Sequence, residues 1–186
     1  MRQRIGAEWG GRGDLWIFGY ASLIWRPETE AAERRPAVVG GWHRALRMRS
    51  RVNRGTPQVP GLVFALLPGG SCRGVAYRIP QAQVEEELDR LWAREMPTGV
   101  YDPRLLRART PQGAVHALTF TLSRRSPACL PPLDDHTLLD ILRTAQGRFG
   151  TTLEYLSETA AALEACGIRD REIDRLMGVA RRAGLV

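Results

Sequence analysis

The chain has 186 residues, 44% of them hydrophobic and 25% charged, proportions ordinary for one globular domain and unlike those of disordered or collagen-like chains. No apolar run approaches the roughly 18–20 residues of a transmembrane helix, and residues 1–13 carry Arg2, Arg4, Glu8 and Arg12 where a signal peptide would have its apolar centre, so a cytoplasmic protein without a membrane partner is expected. The 27 basic residues, all Arg, exceed 20 acidic ones for a net charge of +7; such wholesale use of one cation reads as compositional bias, and it predicts attraction of small anions rather than a specific nucleic-acid partner.

Residues 1–13 are expected to form an N-terminal arm ahead of a single domain over 14–186. From Asp14 strands come first and helices later, which predicts an α+β fold built on a curved sheet or a small barrel. Leu15-Trp-Ile-Phe18 is a short apolar run closed by Gly19, the pattern of a strand buried on both faces. In Phe18-Gly-Tyr-Ala-Ser-Leu-Ile-Trp25 that strand meets a turn of small residues. Gly19 permits unusual backbone angles, and small side chains let a ligand reach main-chain N–H groups able to hold a carboxylate or oxyanion. An ordinary strand bend is the alternative. Ser22 as a nucleophile is disfavoured, because its surroundings are not Gly-x-Ser-x-Gly and no His is assignable as its base.

Arg47, Arg49 and Arg51 alternate as one solvated strand face would, flanked by Arg44 and Arg54. The runs 61–67 and 74–79 flank Pro68-Gly-Gly-Ser71 and predict a β-hairpin. No Gly-Lys-Ser/Thr follows those glycines, so a phosphate cradle is not expected. Residues 114–122 predict another strand, followed by a Pro-containing loop.

Three helices with legible ends close the chain. The first covers about 135–147, with Leu138, Ile141, Leu142 and Ala145 on its apolar face. The second begins at a capping box, Thr151-x-x-Glu154, carries Leu153, Leu156, Ala160 and Leu163, and stops at Gly167. The third starts near Asp170, buries Ile173, Leu176, Met177 and Ala180, and ends by Gly184. Cys72, Cys129 and Cys166 are odd in number and widely separated, and His43, His116 and His136 lack ligand spacing, so neither a disulfide framework nor a metal site is expected.

One residue breaks the pattern. Between 81 and 101, Val84, Leu88, Leu91 and Trp92 recur at helical spacing, and Glu95 lies only about 20° round the helix from Val84, inside that apolar stripe. Pro97 biases Met96 away from helical angles, so the helix should stop near Arg94 or Glu95 and leave Glu95 at the negative end of its dipole. Desolvation and dipole both favour the neutral acid, which predicts the raised pKa that a general base working near neutrality needs. A buried ion pair with one of the arginines, or a frayed end turning Glu95 to solvent, would satisfy the same pattern.

Taken together, Phe18-Gly-Tyr-Ala-Ser-Leu-Ile-Trp25, Gly55-Thr-Pro57, Pro60-Gly-Leu-Val63, Cys72-Arg-Gly-Val-Ala-Tyr77 and Arg94-Glu-Met-x-x-Gly-Val-Tyr101 resemble the ChaC-like γ-glutamylcyclotransferases in order and spacing, over residues 15–177. The resemblance implies a small mixed β-barrel surrounded by helices, and cleavage of glutathione, a small-molecule substrate, to 5-oxoproline and cysteinylglycine without cofactor or metal. It implies Glu95 as the catalytic acid/base and Gly19, Tyr20, Ala21, Ser22, Leu23 and Ile24 as the substrate-binding loop. Tyr101 is a further lining residue or simply a strand tyrosine.

Three departures bear on substrate. Ala21 stands where relatives usually have Gly, Thr152 replaces an amide residue, and 123–132 match poorly. Another γ-glutamyl amine or amino acid as substrate, or an impaired member with a binding or regulatory role, is the alternative these departures leave.

Overall fold

The computed structural model describes residues 1–96 and 99–186. Its five long strands are β1 (Leu15–Gly19), β2 (Glu33–Ser50), β3 (Gly61–Ile79), β4 (Asp102–Thr110) and β5 (Gly113–Thr121), and they close into a barrel in the order β1-β3-β2-β4-β5. The helices are α1 (Arg2–Trp9), the single turn α2 (Ser22–Trp25), α3 (Val84–Glu95), α4 (Asp135–Thr144), α5 (Thr152–Ala165) and α6 (Arg171–Arg182). The result is the α+β barrel fold that the strand-then-helix order predicts.

The chain divides into two compact units, 1–43 with 66–123 and 44–65 with 124–186. In the first, β1 is central: it runs antiparallel to β3, pairing Ile17 with Tyr77 and Gly19 with Val75, and parallel to β5 through Trp16 and Ile17. Burial of both its faces, by Ile17 on one and Phe18 on the other, explains why its sequence is a continuous apolar run. Its core is built from Ile17, Phe18, Ile79, Leu118 and Phe120, each worth roughly 1.5–3 kcal/mol on burial. Residues 1–13 carry α1, whose Ile5 is fully buried while Arg2 pairs with Glu85 and Asp89 of α3 and Arg4 with Asp102.

The expected hairpin does not form. Residues 61–79 are one strand that bends without leaving the sheet: Leu66 bridges Thr121 of β5 in parallel, while 75–79 pair with β1. Gly69 (φ 106°) and Gly70 (φ 73°) take left-handed angles that allow the bend. Turn residues were thus present, but they serve curvature in a barrel wall rather than reversal.

In the second unit α4, α5 and α6 pack on one another, with Leu138, Leu142, Leu156, Leu163, Leu176 and Ala180 buried. The capping box forms as read, Thr151 and Glu154 each accepting the other's backbone N–H. Two details differ from expectation. Helix α4 ends at Thr144 because Gln146–Gly147 pairs with Gly150–Thr151 as a two-stranded ribbon, and the buried stripe of α5 is Thr152, Tyr155, Leu156, Thr159 and Leu163, with Leu153 and Ala160 only half-buried. The two threonines can be buried because their hydroxyls find backbone partners: Thr152 accepts from Leu62 N, and Thr159 donates to the Tyr155 carbonyl.

Of the alternating arginines, Arg51 is exposed and Arg47 and Arg49 are half-buried, whereas the flanking pair is withdrawn from solvent. Arg44 is buried against Asp170, the N-cap of α6, and Arg54 is buried between Glu158 and the ring of Tyr155, while Arg47 donates to the Leu130 carbonyl. Close packing also accounts for Gly55 and Gly61, since a Cβ on Gly61 would collide with the Arg54 backbone.

Candidate active site

Helix α3 is amphipathic because Val84, Leu88 and Leu91 fall on one face and are buried. It stops at Glu95, with Met96 as C-cap at φ −115° and ψ 22°. Pro97, the expected cause of that stop, lies outside the described residues.

Glu95 therefore ends the apolar face, its side chain only 16% exposed. It does not fray into solvent. Arg94 Nε donates to its Oε1 at 3.0 Å, so the ion-pair alternative is realised. Burial nevertheless prevails and holds the carboxyl above its ordinary value. The Arg94 charge and hydrogen bond pull the other way, and the nearby Glu28 carboxylate pushes it up further. Pairing and a raised pKa coexist because the guanidinium is shared.

That sharing brings the two sequence-marked segments together. Arg94 Nη2 lies 3.2 Å from Ser22 Oγ, and Nη1 reaches Glu28 Oε2 at 3.1 Å and the carbonyl of Arg26. Ser22 opens the single turn α2, in the segment that follows β1.

The turn is pinned from both ends. Tyr20 donates to the Phe120 carbonyl and Tyr77 to the Leu23 carbonyl, each at 3.0 Å. Gly19 is needed for space rather than for backbone angle. Its φ is not left-handed, but a Cβ there would lie 3.0 Å from Leu23 Cβ and 3.1 Å from the Tyr77 ring. Ala21, at φ −146°, likewise sits outside the left-handed region, so its methyl brings no penalty of handedness. The Ile24 N–H is already committed to the Ala21 carbonyl at 2.8 Å. Tyr101 is buried just before β4, its ring edge-on to Phe120 at 6.1 Å between centroids.

A pocket opens beside this cluster, lined among others by Leu23, Glu28, Tyr77, Glu87, Arg90 and Arg94. Glu28, Tyr77, Glu87, Arg90 and Arg94 are the lining residues to which sequence reasoning gave no role. The signal for Arg94 was present, a cation adjacent to a carboxylate on an apolar face, whereas Tyr77 closes the Cys72–Tyr77 stretch of the resemblance with nothing in the β3 run to give it a role. Cys72 is a buried thiol whose Sγ faces the Arg73 carbonyl, and His43 bonds the Gly69 carbonyl through Nδ1. No helix of the described residues is long and apolar enough to cross a membrane.

The backbone is that of the γ-glutamylcyclotransferase fold. A crystal structure of the yeast γ-glutamyl cyclotransferase specific to glutathione matches with a TM-score of 0.82 at 21% identity, covering 92% of this chain and 97% of that one. The family model described as ChaC-like protein matches residues 15–183, and the chain belongs to that family. Among its relatives, a glutathione-specific γ-glutamylcyclotransferase of Escherichia coli is 37% identical over 166 residues, 89% of this chain and 72% of that protein. Glutathione-specific γ-glutamylcyclotransferase 1 of Homo sapiens is 32% identical over 158 residues, 82% and 71% of the respective chains.

Proposed function

We propose that this chain is a γ-glutamylcyclotransferase that cleaves glutathione to 5-oxoproline and cysteinylglycine. The observation that carries the reading is Glu95, a carboxylate kept from water at the end of α3 and tied through Arg94 to Ser22 in the turn after β1. The relatives named above support glutathione as the substrate.

The substrate's own α-amine is the nucleophile. Glu95 takes its proton as the nitrogen bonds to the γ-carbonyl carbon, closing a five-membered lactam. The carbon–nitrogen bond to cysteinylglycine then breaks, and Glu95 returns the proton to the departing amine. One group serves both steps, so a pKa lifted toward neutrality suits it better than an ordinary carboxylate's would. Attack within one molecule leaves the protein mainly the task of orientation. Gly19, Tyr20, Ala21, Ser22 and Leu23 offer backbone N–H groups to the α-carboxylate and the developing oxyanion, Ile24 contributes its side chain because its N–H is committed, and Tyr101 lines the site.

No chemical step calls for a cofactor or metal. The same reading places the enzyme in the cytoplasm, in keeping with three free cysteines, with a small molecule as its partner and neither nucleic acid nor membrane engaged. A panel of glutathione, γ-glutamyl-alanine and γ-glutamyl-lysine assayed for 5-oxoproline tests the substrate: release from glutathione by at least tenfold over the others is expected, and preference for either of the others would move the assignment within the family.

A further inference from the structure

Residues one apart on a helix point in different directions, so the bond between Arg94 and Glu95 is not a consequence of helical spacing. It forms where α3 ends, and the guanidinium is drawn there by three further acceptors, all from the segment around α2: Ser22 Oγ, the Arg26 carbonyl and Glu28 Oε2. A cation in the last turn of a helix would by default serve the helix dipole in water; this one is only 18% exposed. Four acceptors at different angles suit a planar guanidinium and exceed the three donors of an ammonium.

Glu28 is itself held in an unusual way. It has the one positive φ, 53°, among non-glycine described residues, and it pairs with Arg26 as well as Arg94. Such angles persist where surrounding contacts over-determine them, and they cluster at functional sites.

We propose that Arg94 is a positioning residue for the reaction: one guanidinium, anchored on Glu28, holds the Glu95 carboxylate and the Ser22 hydroxyl in a fixed relation, joining the base to the substrate-binding turn. The inference rests on Glu95 being the base. The charged groups around Glu95 are Arg94 of its own helix and Glu28, with its partner Arg26, of the segment after α2; Glu87 and Arg90, nearer the start of α3, bond each other. Arg94 favours the ionised form of Glu95 and Glu28 disfavours it, so removing each moves the base in opposite directions.

The test is the pH profile of glutathione turnover for Arg94→Gln, Arg94→Lys, Glu28→Gln and Glu95→Gln, with folding checked by circular dichroism. In Arg94→Gln the acid limb of kcat/KM should move up by roughly 1–3 pH units, and kcat should fall further than KM rises. Arg94→Lys keeps the charge and loses the fork, so its limb should stay near the native position while kcat still drops at least tenfold. In Glu28→Gln the limb should move down.

A limb unmoved in Arg94→Gln, or a loss confined to KM, would overturn the proposal, the latter making Arg94 a contact of the substrate. A limb in Glu28→Gln that stays put or moves up would overturn it as well, and that variant decides the matter should Arg94→Gln not fold. Full activity in Glu95→Gln would strike at the base itself, an outcome distinct from a native-like profile in the Arg94 variants.

Discussion

The hydroxyl of Tyr77 on β3 donates to the carbonyl of Leu23 in α2 at 3.0 Å, and the same ring presses against Gly19 at the end of β1. A single turn of helix cannot hold its shape alone, because four residues lie far below the length at which helix formation sustains itself. The barrel wall supplies what the turn lacks. Tyr77→Phe should cost about 1–3 kcal/mol, since the Leu23 carbonyl loses that buried donor. Because the displaced residues are those proposed to bind substrate, kcat/KM should fall roughly tenfold. Urea unfolding and glutathione turnover measured together check both effects.

Ala21 stands where the family resemblance implies glycine, yet its φ of −146° lies outside the left-handed region. Restoring glycine should therefore not restore anything. Ala21→Gly should leave glutathione turnover within about threefold of native. A large gain in turnover would mean that the methyl obstructs the site.

Asp170 has two tasks in the second unit. It caps α6 by accepting from Glu172 N and Ile173 N, and it neutralises the buried Arg44. Asp170→Ala removes the cap and the carboxylate paired with a buried guanidinium, for an expected loss of up to about 3–5 kcal/mol, visible as a lower urea midpoint. Asp170→Asn keeps the cap acceptor and should lose less.

The raised pKa of Glu95 has a consequence for stability as well as catalysis. A carboxyl whose pKa is higher folded than unfolded favours folding while protonated, and that contribution disappears as pH rises through the folded value. Glu95→Gln should therefore be more stable than the native protein near pH 8, and the two should converge near pH 4. Thermal unfolding at both pH values checks the sign; a variant less stable at pH 8 would mean that the Arg94 pairing outweighs desolvation.

Much of this site was legible because it violates local rules. An acid on the apolar face of α3, at the wrong end of the dipole, marked Glu95 without any structural knowledge, and helix caps at Thr151 and Asp170 could be read directly because capping is local chemistry. What could not be read depends on closure of the barrel. Pro68, Gly69 and Gly70 carry the same composition whether they reverse a chain or bend it, and only the partners of Leu66 and Val75 distinguish the two. The sequence suggests a backbone role for Gly19, whereas its neighbours Leu23 and Tyr77 give it a packing role. Arg94 could be seen beside Glu95, but its bonds to Ser22 and Glu28 span more than sixty residues and follow no sequence period.

The central claim is that Glu95 moves the proton in glutathione cleavage. The most direct measurement is 5-oxoproline release from glutathione at pH 8 by the native protein and by Glu95→Gln, which keeps the size of the side chain and removes the base. The account predicts release by the native protein and a loss of at least a thousandfold in the folded variant. Release by the variant at a rate close to native would contradict it.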